Sequence, residues 1–148
     1  RPIKMTFIGP VEDEAYQNEL VAMARNQDRV VVEFIGGMAP TELAPFWQKA
    51  HYFLSSTTQE NFGHSIVEAW AHGCPVLISD RTPWRDLETK GVGWDWPLDQ
   101  TAWRQGLSIA LNVGHTEWKV QSEKSRAFFN TEVRNPAVEQ DNLKLFQR

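Results

Sequence analysis

The stretch from Thr57 to Asp80, TTQENFGHSIVEAWAHGCPVLISD, constrains this chain more than any other. Ahead of it, HYFLSS (51–56) is a short apolar run suited to a buried strand, and PVLIS (75–79) is another. Between them a polar loop leads into Ser65, Ile66, Val67, Ala69, Trp70 and Ala71, a helical run. Gly73 is a typical residue just past a helix end, and Pro75 prevents continuation. Strand, polar loop, helix, strand is one unit of a parallel α/β sheet. Ligands of such sheets gather at the carboxyl ends of the strands, which is where Glu60 falls.

Two carboxylates, Glu60 and Glu68, stand in this stretch with seven residues between them. Gly63, where the helix begins, allows a sharp turn or a close approach of backbone to a ligand. The helix looks mostly apolar, so Glu68 is expected to be mostly buried and to need a partner; His64, at i−4, shares its face. Free amides at a helix N-terminus attract anions, phosphate above all. Carboxylates accept well from pairs of hydroxyls, which sugars and riboses offer. Amides for phosphate between two carboxylates for hydroxyls describe a nucleotide-sugar site. The competing reading is structural: Glu60 caps the helix or faces solvent, and Glu68 pairs with a neighbouring arginine.

The string SSTTQENFGHSIVEAWAHGCPVLIS resembles the signature of the retaining glycosyltransferases of the group-1 type (family 4-like), whose GT-B fold is two facing Rossmann-like domains. Glu60, Phe62, Gly63, Glu68, Ala69, Ala71, Gly73, Pro75 and Val76 match that pattern in order, and the resemblance runs from Lys4 to about Leu111. It implies an α/β fold, a Rossmann-like parallel sheet flanked by helices, forming the C-terminal half of a GT-B enzyme. It assigns Glu60 to the hydroxyls of the donor sugar, as the catalytic-site carboxylate, and Glu68 to the ribose. It gives the amides of Asn61, Phe62, Gly63, His64 and Ser65 to sugar and phosphate, with the His64 side chain a further contact. The loop Gly36-Gly37-Met38-Ala39-Pro40 becomes the place where backbone, at Gly37 and Met38, meets the nucleotide base; alone it reads as an ordinary Gly-rich turn. One departure stands out. The family usually carries a glycine pair after the strand PVLIS, and here Arg81-Thr82-Pro83-Trp84 replaces it, which weakens any transfer of donor preference.

Taken in order, residues 4–9 and 30–36 read as strands, the second as a β-branched strand buried on both faces. The segment after Gly9-Pro10 is an amphipathic helix with Tyr16, Leu20, Val21 and Ala24 on one side. Its acids Glu12, Asp13 and Glu14 suit a helix start rather than a metal site. Thr41 and Glu42 open a helix through about Lys49. Beyond the central stretch, Arg81 and Arg85 suit surface ion pairs with Asp80 or Asp86, and VGWDW is a short strand. A helix opening at Asp99 or Thr101 carries Trp103, Leu107 and Leu111 on one side. TEWKVQSEKSRAFFNTEV and NPAVEQDNLKLFQR read as two final helices. Together this predicts one domain with a parallel sheet of five or six strands.

Composition excludes several other classes. A net charge of −4 gives no electrostatic case for nucleic acid. The single cysteine, Cys74, cannot form an internal disulfide and fits a reducing, cytoplasmic setting, with peripheral membrane association of a longer parent left open. No GxxxxGK[ST], HExxH, Cys/His cluster or Asp-x-Asp occurs, so the expectation is a donor site that requires no metal or other cofactor. Seven tryptophans are many; most should pack, and exposed ones could stack on a sugar or a partner surface. By the same resemblance, the chain opens at Arg1-Pro2, directly before what would be the family domain's second strand. Its first strand–helix unit, with an Arg and a Lys for the diphosphate, and the N-terminal acceptor domain are expected upstream. The 148-residue chain alone is therefore expected to lack the hexosyltransferase-like activity of its parent. Three alternatives remain: a sugar-nucleotide epimerase of the same fold, a non-enzymatic nucleotide-binding or regulatory domain, and a pure packing module that binds nothing.

Overall fold

The computed structural model describes residues 2–134, so the second of the two predicted final helices lies outside the described residues. The chain divides after Pro45 into two compact units.

In the first unit, β1 (Ile3–Phe7) pairs in parallel with β2 (Val30–Phe34), Ile3 opposite Val30 and Phe7 opposite Phe34. Helix α1 (Glu14–Arg25) connects them. Asp13 is its N-cap, accepting the Tyr16 N–H at 3.0 Å, and Glu14 and Arg25 complement the two ends of the helix dipole. The acid triplet is thus a helix start, as its position suggests. Leu20, Val21 and Ala24 are half-buried, whereas Tyr16 is exposed, one turn too early to reach the strands. No described residue of this unit is fully buried, and Val31 is 54 % exposed. That corrects the expectation of a doubly covered β2: two strands and one helix leave one sheet face open. The helix predicted over 41–49 is two short pieces, a 3-10 turn (Pro40–Glu42) and one α turn, α2 (Ala44–Trp47); they break at Leu43, and Pro45, inside α2, has no N–H to carry a helical bond back across the break.

In the second unit β3 (Phe53–Ser55), β4 (Val76–Ser79) and β5 (Gly93–Trp96) form a parallel sheet in that order, with Phe53 opposite Val76 and Val76 opposite Gly93. Among the described residues the five strands therefore pair as two parallel sheets rather than as one. β4 is central, and all four of its residues are buried. Its side chains alternate between faces. Val76 and Ile78 join Ile66, Ala69, Trp70, Cys74, Leu87 and Val92 in one core, and Leu77 joins Trp94 and Ala110 in another. Trp70 is fully buried, and its indole donates to the Val92 carbonyl at 3.0 Å, so its one polar atom is satisfied.

Helix α3 (His64–Ala71) crosses from β3 to β4, and α4 (Leu87–Lys90) from β4 to β5. The Asp95 carboxylate, from β5, accepts the N–H groups of Asp86 and Leu87 and holds the start of α4. Helix α5 (Gln100–Asn112) is capped by Asp99, which accepts the Ala102 N–H at 2.9 Å. Its buried side is Gly106 and Ala110, flanked by Trp103 and Leu107; Leu111, predicted to share that side, is 52 % exposed. The stripe is set by residues small enough to approach the Trp96 ring, not by the largest ones. Helix α6 (His115–Phe128) ends in a π turn (Phe129–Val133).

Candidate functional site

The loop between β3 and α3 is held from one side by the segment that follows β4. Ser79, fully buried at the end of β4, donates its hydroxyl to the Thr57 carbonyl at 2.5 Å. The Glu60 N–H donates to the Arg81 carbonyl at 2.9 Å. The Trp84 indole N–H donates to the Phe62 carbonyl at 2.6 Å. Inside the loop the Thr57 hydroxyl donates to the Gln59 carbonyl at 2.8 Å. Parallel pairing of β3 with β4 sets their carboxyl ends side by side, which is what lets two consecutive strand-end loops bond.

Glu60 is exposed and turns onto its own loop. Its Oε1 accepts the Phe62 N–H at 3.2 Å. That bond, followed by the Gly63 N–H, and in smaller part the Asn61 N–H and the charge of His64, holds the carboxyl below the usual carboxylate range against slight desolvation. Successive amides converging on one carboxylate form an anion-binding nest. The exposure of Glu60 is what the structural reading of the sequence anticipated, and it is also what a hydroxyl acceptor requires.

Gly63 precedes α3 with φ 80, and a Cβ there would lie 2.7 Å from the Ile66 Cδ1, so both backbone and packing select glycine. Gly63 offers no side-chain cap, and the Val67 N–H is the first in the helix to find a carbonyl, that of Gly63. The amides of His64, Ser65 and Ile66 consequently point out of the first turn without a protein partner among the described residues. Ile66, Ala69 and Trp70 face the core. At 100° per residue this turns His64, Ser65 and Glu68 outwards, and all three are exposed. The expected burial of Glu68 is thus corrected: an eight-residue helix covering one core needs only its Ile66–Ala69–Trp70 side. His64 and Glu68 share the outward face, but no ion pair joins them, and no arginine pairs with Glu68 among the described residues. The His64 ring lies instead against Phe62, centroids 4.9 Å apart.

The structure thus brings Glu60, Asn61, Phe62, Gly63, His64 and Ser65 onto one turn, exposed at all of them but the buried Gly63, with Glu68 one helical turn on. Gly37, exposed, and Met38, half-buried, belong to the first unit, in the loop from β2 to the 3-10 turn. There the Ala39 N–H donates to the Glu42 carboxylate at 2.8 Å. Arg81 Nε comes within 3.2 Å of Asp80 Oδ1, an ion pair without hydrogen-bond alignment. Arg85 donates to the carbonyls of Asp80 and Trp84 instead of to a carboxylate. The predicted pairing with side chains therefore holds for Arg81 only. His72 closes α3 as its C-cap, its ring stacked 5.9 Å from Trp47, a structural role as its position implied. What sequence reasoning missed is Trp84: nothing in the spacing shows that this indole reaches Phe62, 22 residues away.

Comparison with known proteins accords with this geometry. The domain model for glycosyl transferases group 1 matches residues 1–104. The chain is 38 % identical over 78 residues to the alpha-monoglucosyldiacylglycerol synthase of Streptococcus pneumoniae, covering 51 % of this chain and 17 % of that protein. It is 28 % identical over 76 residues to the O-antigen chain mannosyltransferase RfbU of Salmonella typhimurium, covering 51 % and 22 %. Among solved structures it resembles WaaG, a glycosyltransferase involved in lipopolysaccharide biosynthesis, with a TM-score of 0.67 and 21 % identity over 86 % of this chain and 34 % of that one. It likewise resembles the sucrose-phosphate synthase of Thermosynechococcus elongatus, with a TM-score of 0.65 and 24 % identity over 96 % and 38 %. The chain spans about a fifth of the length of those curated relatives and little more than a third of those structures. With the family's domain model running unbroken from the first strand into α5, across the whole Glu60–Glu68 turn, the chain belongs to the group 1 glycosyl transferases.

Proposed function

We propose that this chain is the donor-binding domain of a retaining glycosyltransferase, which transfers a sugar from a nucleoside diphosphate sugar to an acceptor hydroxyl. One arrangement carries the reading: an ionised, solvent-facing Glu60 on a ring of amides, one turn ahead of an uncapped helix that presents a second solvent-facing carboxylate, Glu68. Carboxylates that are exposed and free of cations can accept paired hydroxyls. Glu60 then holds the donor sugar and Glu68 the ribose. The open amides of His64, Ser65 and Ile66 face the diphosphate, where they and the helix dipole stabilise charge on the leaving group without a metal. The chain's contribution to the reaction is positioning and electrostatics, with the acceptor supplied by another part of the parent. The glucosyl and mannosyl transfers named for two relatives make UDP-glucose and GDP-mannose the first donors to try. A free, buried Cys74 suits the reducing cytoplasm, and no helix among the described residues is long and apolar enough to cross a membrane.

The test is calorimetric titration with UDP, GDP, UDP-glucose and GDP-mannose, repeated on Glu68→Ala and on a chain extended upstream. One nucleotide and its sugar should bind, and Glu68→Ala should weaken both about ten- to a hundredfold, the worth of hydrogen bonds to a charged group. The anomeric configuration of the parent's product, read by NMR, checks retention. Silence towards all four ligands in the extended chain would end the donor reading.

A further inference from the structure

The segment after β4 does more than connect it to α4, and we propose that Trp84 is a positioning residue for the Glu60 loop: by holding the Phe62 carbonyl it fixes the turn in which the Phe62 N–H meets the Glu60 carboxylate. The consequence for donor sugars rests on the reading of Glu60 given above; the hold on the loop does not. The peptide between Phe62 and Gly63 is planar and trans, so its C=O and N–H point in opposite directions. The Trp84 indole takes the carbonyl at 2.6 Å. The residue whose carbonyl Trp84 holds is also the one that binds the carboxylate, for the Phe62 N–H donates to Glu60 Oε1 at 3.2 Å; the Gly63 N–H, on the far edge of the held peptide plane, adds to that support. Gly63, with φ 80, has no side chain to restrict this plane, so an external bond is what fixes it.

Trp84 is itself well anchored. Its ring packs edge-on against Trp70, 5.0 Å between centroids, and against Phe128 at 6.4 Å. Its backbone N–H donates to the buried Thr82 hydroxyl at 3.2 Å, a tight turn that starts the side chain in the right direction. Phe62 meets the same indole edge-on at 6.0 Å. Together with the Glu60–Arg81 backbone bond, this makes the orientation of the loop a property of residues 81–84. A glycine pair at these positions could supply neither the indole bond nor the packing.

The experiment compares the unmodified chain with Trp84→Phe, which keeps a ring against Trp70 but removes the N–H. The first readout, without ligand, is the NMR titration of the Glu60 carboxyl. His64 is the charged neighbour that also acts on it, and it is the same in both proteins. The midpoint should rise towards the ordinary carboxylate value in Trp84→Phe, and an unmoved midpoint would overturn the proposal. The second readout is binding of UDP-glucose and GDP-mannose relative to UDP and GDP. The advantage conferred by the sugar should fall about three- to tenfold, the worth of one hydrogen bond, with nucleotide binding preserved. A raised midpoint in a chain that binds no donor upholds the role of Trp84 and counts against the donor reading. Should Trp84→Phe fail to fold, deuterium exchange of the indole N–H groups in the unmodified chain decides. The Trp84 N–H should be protected, and exchange at the rate of an unbonded indole contradicts the proposal.

Discussion

Glu60 carries its consequences into solution as a pH dependence. Its carboxyl is held below the usual range chiefly by the Phe62 N–H. A folded-state pKa lower than that of the unfolded chain means that the stabilisation is present above the ordinary carboxylate value and is lost as pH falls through the lowered one. The expected NMR midpoint therefore lies below that of a free glutamate. Two glycines make sharper residue-scale predictions. Gly93, with φ 139, would place a Cβ 2.1 Å from the Val76 carbonyl oxygen, which is backbone of the central strand and cannot give. Gly93→Ala should cost more than about 3 kcal/mol in denaturant unfolding, beyond ordinary overpacking. At Gly106 two effects compete. Alanine gains about 1 kcal/mol of helix propensity, but its Cβ would sit 2.2 Å from the Trp96 ring. Overpacking of about 1–3 kcal/mol should win, so the melting temperature of Gly106→Ala falls.

Among elements, the strand–loop–helix–strand of β3, α3 and β4 was legible because its signals are local. Apolar runs mark the strands, and Gly73, with φ 74, ends the helix where glycine is needed. The exposure of Glu68 could have been read from the same helix, since Ile66, Ala69 and Trp70 already define its core side. Composition alone concealed it. The break at Leu43 in the 41–49 segment was also signalled by Pro45 two residues on, but that proline was outweighed by the apolar residues around it. Other features were not legible because the partners are remote in sequence: Asp95 capping α4, Trp84 on Phe62, and the separation of the strands into two parallel sheets. The Asp95 cap is testable. Asp95→Ala leaves the amides of Asp86 and Leu87 without their acceptor, and Asp86 already sits at φ 58. Losing these two bonds to a carboxylate should cost about 1.5–3 kcal/mol and raise hydrogen exchange through α4.

At the scale of the whole molecule, the second unit owes its cohesion to Trp70 and the residues around it. Cys74 lies in that core, and burial pushes its thiol up to about 12. Almost no thiolate exists near pH 8, so modification by a thiol reagent should wait on opening of the core and track unfolding as denaturant rises. Fast labelling of the native chain would contradict that packing. Tyr52, also pushed up to about 12 by burial, should stay un-ionised well past the range of a free tyrosine in an ultraviolet titration.

In the proposed function, Glu60 reads the sugar of a nucleotide sugar while Glu68 reads the part common to sugar-bearing and free nucleotide. The direct measurement is a pair of affinities, nucleotide sugar against free nucleotide, in Glu60→Ala. Binding of UDP-glucose or GDP-mannose should fall about ten- to a hundredfold while the matching free nucleotide is unaffected. An equal loss for both ligands, or no loss for either, would contradict it.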